Sequence, residues 1–179
     1  GSVGKTSTKD MIYSVVSKKY KTLKTSGNYN NEIGLPLTIL SLKDEEAMVL
    51  EMGMSASGEM ALLTSIAKPT IGVITNIGTA HIGILGSREN ILKAKLEILE
   101  GMNKNSFIII NNDNDLLHDV YSKLCNDYKV ITVGIDNESD YRAYNINSEV
   151  FSSKFSIENR DNDIEVLVGG KAFIYNQHL

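Results

Sequence analysis

The apolar positions along the chain change period repeatedly, and each change marks an element. Met11, Ile12, Val15 and Val16 recur at helical spacing and predict a helix over 5–20. KTLKTSG (21–27) predicts a short strand. GLPLTILSL (34–42) predicts a helix that Pro36 starts without interrupting. AMVLEMG (47–53) predicts a strand. SGEMALLTSIAK (57–68) predicts a helix with Ser57 as candidate cap and Pro69 marking its end. TIGVITNIG (70–78) predicts a strand, followed by a loop and a helix over 87–100. SFIIINND, NDLLHDVYSKLC and YKVITVG then continue as strand, helix and strand up to residue 134. Near-continuous apolar strands alternating with helices predict an α/β fold, a mostly parallel sheet with helices on both faces. From residue 136 the pattern becomes four short strands with polar turns, the last being KAFIYN. This predicts a small antiparallel sheet on the main fold, with 1–135 as core and 136–179 as its extension.

One position breaks its pattern. In ILKAKLEILE (91–100), a rotation of about 100° per residue puts Ile91, Leu92, Ile98 and Leu99 on one arc. Lys95 sits at the centre of that arc, whereas Lys93 points to solvent. A lysine stem can lie on apolar surface while its ammonium reaches water. Burial has the other consequence: desolvation disfavours the charged form and leaves a nucleophilic amine. Such an amine can add CO₂ and become an anionic carbamate, a ligand suited to Mg²⁺.

Composition narrows the field. The chain has 179 residues, 42% hydrophobic, with net charge −4. No general basic field points to nucleic acid, so an anionic ligand needs a local site. The single cysteine, Cys125, excludes an internal disulfide and suits a reducing compartment. No apolar run approaches the roughly 20 residues of a membrane span, so no membrane insertion is expected.

GSVGKTST (1–8) is a glycine-rich turn opening a helix. Such a turn aims backbone N–H groups at phosphate oxygens, with the positive helix end behind them. Lys5 would reach outer phosphates and Thr6 would hold Mg²⁺. Gly1, Ser2, Gly4 and Ser7 complete the candidate cradle, although GS also has the form of a cloning remnant. Glu51 ends a strand, at the sheet edge where ligands gather in open α/β folds, and suits the same Mg²⁺. TNIGTAHIG places Asn76, Thr79 and His81 at that edge, where His81 could hold metal or position a phosphate. His118 and His178 carry no such context. SGNYNNEIGLP (26–36) is either a polar loop or a binding loop using amides. NNDND (111–115) either contacts a base or ribose or caps the next helix through Asp113.

In order and spacing, these motifs resemble the Mur ligase family, in its central ATP-binding domain, over roughly 1–135. GSVGKTST is similar to its phosphate loop. EMGMSASGEM and TNIGTAHIGILGSRENILKAKLEI resemble its metal- and phosphate-binding segments, and GNYNNEIGLPLTIL resembles members that accept D-alanyl-D-alanine. The resemblance implies ATP and two Mg²⁺ ions as cofactors. It places phosphates on Lys5 and Thr6, magnesium on Thr6, Glu51 and His81, and a carbamylated lysine at Lys95. It puts Asn31 near the γ-phosphate and acyl group, and Asn112 and Asp115 near the nucleoside. It further implies UDP-MurNAc-tripeptide as the other substrate, peptidoglycan precursor synthesis in the bacterial cytoplasm, and a monomer. Two flanking domains would lie outside this chain, leaving the fragment inactive alone. Another Mur ligase, a folylpolyglutamate synthase-like ligase, an unrelated P-loop NTPase or a non-catalytic nucleotide-binding module remain as alternatives.

Overall fold

The computed structural model of the chain describes residues 2–150, 152–161 and 163–167. The expected alternation is present. Helix α1 (Lys5–Val16) leads to β1 (Thr22–Lys24), α2 (Gly34–Leu40) to β2 (Ala47–Val49), and α3 (Glu59–Ala67) to β3 (Ile71–Ile74). After α4 (Ile82–Leu85) and α5 (Arg88–Leu96) come β4 (Phe107–Asn111), α6 (Asp115–Leu124) and β5 (Lys129–Gly134). Strands β6 (Tyr141–Ser148), β7 (Ser153–Ile157) and β8 (Ile164–Val166) close the described chain. The fourth short strand expected at KAFIYN, like Gly1 and His178, lies outside the described residues.

The strands form two sheets. β1 and β2 pair in parallel, and a six-stranded sheet runs β3-β4-β5-β6-β7-β8. Pairing is parallel through β6 and antiparallel from β6 to β8. The C-terminal extension is therefore a continuation of the main sheet: β6 joins β5 through Val133 and Gly134. Ile108, Ile110, Ile74, Ile91, Ala94 and Leu117 pack as one core, while Ile135, Ala143, Phe155 and Ile157 form a second under the antiparallel strands.

Three local expectations change. Ser57 does not cap α3. The cap position is Gly58, at φ 88, and the Glu97 carboxylate accepts from the N–H groups of Gly58 and Ala61 and from the Ser57 hydroxyl. A carboxylate at a helix N-terminus meets unsatisfied N–H groups and the positive dipole end together. Asp113 does not cap α6 either. Asn114 does, accepting from Leu117 N–H, while Asp113 accepts from the N–H groups of Ile135, Asp136 and Asn137. The predicted 87–100 helix tightens into a 3₁₀ turn at Glu97–Gly101, and the short α4 falls in what read as loop.

Candidate functional site

The site lies where β2 and β3 end and α1 begins. Gly4 enters α1 at φ 80, in the left-handed region that glycine adopts without a Cβ penalty. No side chain caps the helix and no acidic residue occupies its first turn. That leaves the positive helix end available to an anion. The turn is fastened to the end of β3. Asn76 Oδ1 accepts from the N–H groups of Ser2 and Val3 at 2.7 and 3.1 Å. Thr75 donates its hydroxyl to Val3 O at 2.8 Å, and Gly78 N–H donates to Ser2 Oγ at 2.9 Å.

Lys95 reaches this junction from α5. Its Nζ donates to Ser2 Oγ at 2.7 Å and to Asn76 O at 3.2 Å. Only 5% of the residue is exposed, between buried Ile91, Leu92, Ala94 and Ile98, whereas Lys93 is exposed. Its pKa is pushed down to about 7, first by burial and then by the charge of Lys5. No carboxylate hydrogen-bonds the ammonium among the described residues, so at neutral pH much of it is free amine.

Glu51 stands across the same cavity, which Lys5, Glu51, Thr75 and Lys95 line together. It is 6% exposed. Asn30 donates to its Oε1 at 2.9 Å, while its Oε2 is buried with no hydrogen-bond partner. A buried carboxylate oxygen left open is costly unless a cation or donor meets it. Mg²⁺ fits that oxygen on charge and hardness. Among the described residues no three His, Cys, Asp or Glu side chains cluster as a ready-made metal site. Further ligands would come from phosphate oxygens, water, hydroxyls or a modified lysine.

The other expected residues take separate positions. Thr6 is exposed and Ser7 half-buried in the first turn of α1. His81 is exposed at the start of α4, with φ 66, outside the cavity lining but within electrostatic reach of Glu59. Asn31 uses its Oδ1 to accept from Ile33 and Gly34 N–H groups, fixing the start of α2. Asn112 is buried: its amide donates to Glu138 O, and its Oδ1 lies 3.0 Å from His118 Nδ1. Asp115 is bidentately paired with Arg88, which also donates to Ile77 O. The pattern of residues gave no notice of Asn30 as partner of Glu51, nor of Arg88 as partner of Asp115. Both pairs join segments far apart in sequence.

Comparison with known proteins places this arrangement. The family model described as the Mur ligase middle domain matches residues 1–179. The UDP-N-acetylmuramoyl-tripeptide–D-alanyl-D-alanine ligase of Bacillus subtilis is 43% identical over 177 residues, 98% of this chain and 38% of that protein. The enzyme of the same name from Synechocystis is 49% identical over 137 residues, 76% of this chain and 30% of that one. The chain thus spans well under half the length of these relatives. Among solved structures, MurF from Acinetobacter baumannii superposes with a TM-score of 0.91 at 30% identity, over 99% of this chain and 39% of that one. MurF from Thermotoga maritima, in complex with ADP, gives 0.85 at 31% identity over 98% of this chain and 41% of its own.

Proposed function

Because this chain belongs to the Mur ligase family, we propose that it is the ATP-binding central domain of a ligase joining D-alanyl-D-alanine to UDP-MurNAc-tripeptide. The acceptor rests on relatives of that name at 43% and 49% identity, and ATP use on the ADP complex of a similar structure. The observation that carries the chemistry is Lys95: buried, with its pKa brought to about 7, and held against the phosphate loop.

A carboxylate is a poor electrophile because its leaving group would be oxide. In the proposed reaction the tripeptide carboxylate attacks the γ-phosphorus of ATP, ADP leaves, and an acyl phosphate forms. The dipeptide amine attacks the acyl carbon. The tetrahedral intermediate collapses, inorganic phosphate leaves, and the amine proton is lost to solvent. The first step crowds two anions together, so positive charge must be fixed there beforehand. Bound Mg²⁺ would supply part of that charge.

Lys5 and the N–H groups at the start of α1 would hold the phosphates, with Gly1, Ser2, Gly4 and Ser7 shaping the turn. Thr6, Glu51 and His81 would ligate magnesium. The Lys95 amine would add to the carbon of CO₂ and release a proton, turning a cation that repels metal into an anion that binds it. Asn31 would sit near the γ-phosphate and acyl group, and Asn112 and Asp115 by the nucleoside. Residues 1–135 and 136–179 form one domain in this proposal. Two flanking domains would grip the UDP-sugar and deliver the amine, within a cytoplasmic monomer, so the chain alone is expected to be inactive.

The test uses the full-length protein. Phosphate release from ATP is followed with UDP-MurNAc-tripeptide, with and without D-alanyl-D-alanine. Release that needs both substrates supports the proposal, and release indifferent to the dipeptide overturns the acceptor.

A further inference from the structure

The loop that leaves β3 is held on two sides. On one side it meets the phosphate turn: Asn76 O accepts from Lys95 Nζ and from Ser2 N–H, and Gly78 N–H donates to Ser2 Oγ at 2.9 Å. On the other side the Ile77 carbonyl points to the starts of α5 and α6, accepting from Arg88 Nη2 at 2.9 Å and from Asn114 Nδ2 at 3.2 Å. A trans peptide is planar and sends its C=O and N–H in opposite directions. The single peptide unit between Ile77 and Gly78 therefore carries Arg88 at one end and Ser2 at the other. Ser2 Oγ in turn accepts from Lys95 Nζ at 2.7 Å. The contact is close: a Cβ on residue 78 would lie 3.2 Å from Ser2 Cβ.

Local structure does not account for an arginine at this position. Arg88 opens α5, where Ser87 already caps the helix, and a cation at a helix N-terminus opposes the dipole. Its ion pair with Asp115 does not account for it either. The two side chains remain 35% and 62% exposed, and pairs so open to water add little to stability. What the pair does is geometric. Nη1 donates to Asp115 Oδ2 at 2.8 Å and Nη2 to Oδ1 at 2.6 Å. Two parallel bonds fix the guanidinium plane, with Nη2 also aimed at Ile77 O. Lys95 stands two turns further along the same face of α5. The two long side chains converge on consecutive carbonyls, Lys95 on Asn76 O and Arg88 on Ile77 O.

We propose that Arg88 is a positioning residue for the phosphate site: oriented by Asp115, it fixes the Ile77–Gly78 peptide and, through that peptide, Ser2 Oγ and the Lys95 amine. The proposal rests on the ligase chemistry assigned to this site and deepens it, since Asp115 then acts through Arg88 and not by touching the nucleoside. Removing the guanidinium leaves Ile77 O with Asn114 alone and frees the peptide to rotate. Gly78 N–H then leaves Ser2 Oγ, and the Lys95 amine loses its fixed partner. The turn itself stays anchored, because Asn76 Oδ1 still accepts from the N–H groups of Ser2 and Val3. The loss therefore falls on the reacting geometry and not on nucleotide binding.

The test compares full-length wild type with Arg88→Met, Asp115→Asn and the double variant. The first readout needs no ligase activity: hydrogen exchange at Gly78 by NMR of the ¹⁵N-glycine-labelled, ligand-free protein. In Arg88→Met this amide should exchange at least about tenfold faster, with the urea midpoint essentially unchanged. The second is steady-state phosphate release. Arg88→Met should lower kcat about tenfold or more and change KM for ATP less than about threefold. Asp115→Asn should move both readouts the same way and add nothing in the Arg88→Met background. It leaves the arginine in place, so it keeps the test decisive should Arg88→Met not fold. Unchanged Gly78 exchange in a folded Arg88→Met overturns the proposal, as does a loss confined to KM. An Asp115→Asn effect that persists undiminished without Arg88 also overturns it, and puts Asp115 on the nucleoside. A wild type whose phosphate release ignores the dipeptide would overturn the ligase assignment, while Gly78 exchange still decides the role of Arg88.

Discussion

Lys95 offers the sharpest test of the proposed chemistry. With its pKa near 7, roughly three-quarters of the side chain is neutral amine at pH 7.5. At the ordinary 10.5 only about 0.1% would be, so burial raises the reactive form by several hundredfold. Carbamylation should therefore be extensive at neutral pH in bicarbonate and fall away below pH 7, because an ammonium has no lone pair to add to CO₂. The assay is phosphate release by the full-length enzyme, run beside ¹³C NMR of protein equilibrated with ¹³C-bicarbonate. Lys95→Ala should lower turnover by about 100-fold or more, the scale of losing one preorganised charge at a reacting centre. Small carboxylates such as formate or acetate should partly restore it. Lys93→Ala, on the exposed side of the same helix, should change nothing. Full activity in Lys95→Ala, or a wild-type enzyme with neither a carbamate signal nor any loss on CO₂ depletion, would refute the reasoning.

Three further outcomes follow from the geometry. Glu51→Gln keeps the Asn30 contact but removes the charge at the open Oε2, so half-maximal activity should need at least about tenfold more Mg²⁺. In the CO₂-free protein, the folded pKa of Lys95 lies below its unfolded value of 10.5, so the unfolded chain binds more protons between about pH 7 and 10.5. Stability should rise with pH across that window, by at most about 1.4 kcal/mol per pH unit, and stay level below it. Urea unfolding of Lys95→Met should show a flatter profile. Gly101→Ala would set a Cβ 2.2 Å from Thr64 O, where backbone has to move, and should cost about 1–3 kcal/mol by urea denaturation.

The sequence alone determined the elements and the chemistry they could carry. Periodicity marked the elements from α1 to β5, the short α4 excepted, because apolar spacing directly records which face is buried. The GSVGKTST turn announced its anion site, since a glycine-rich helix start needs no distant partner to present N–H groups. Lys95 was conspicuous for the same reason: its neighbours on the helix face were enough to mark it as out of place. Tertiary structure decided what depends on residues remote in sequence. Ser57 had the local form of a cap, but Glu97, 39 residues beyond Gly58, reached the helix end with a charge and displaced it. Asp113 left its helix to gather the turn at 135–137, and Asp115 was drawn to Arg88. The open Oε2 of Glu51 and its Asn30 partner are likewise invisible in any single window. Each is defined by what packs around it, and a one-dimensional pattern carries spacing without enclosure.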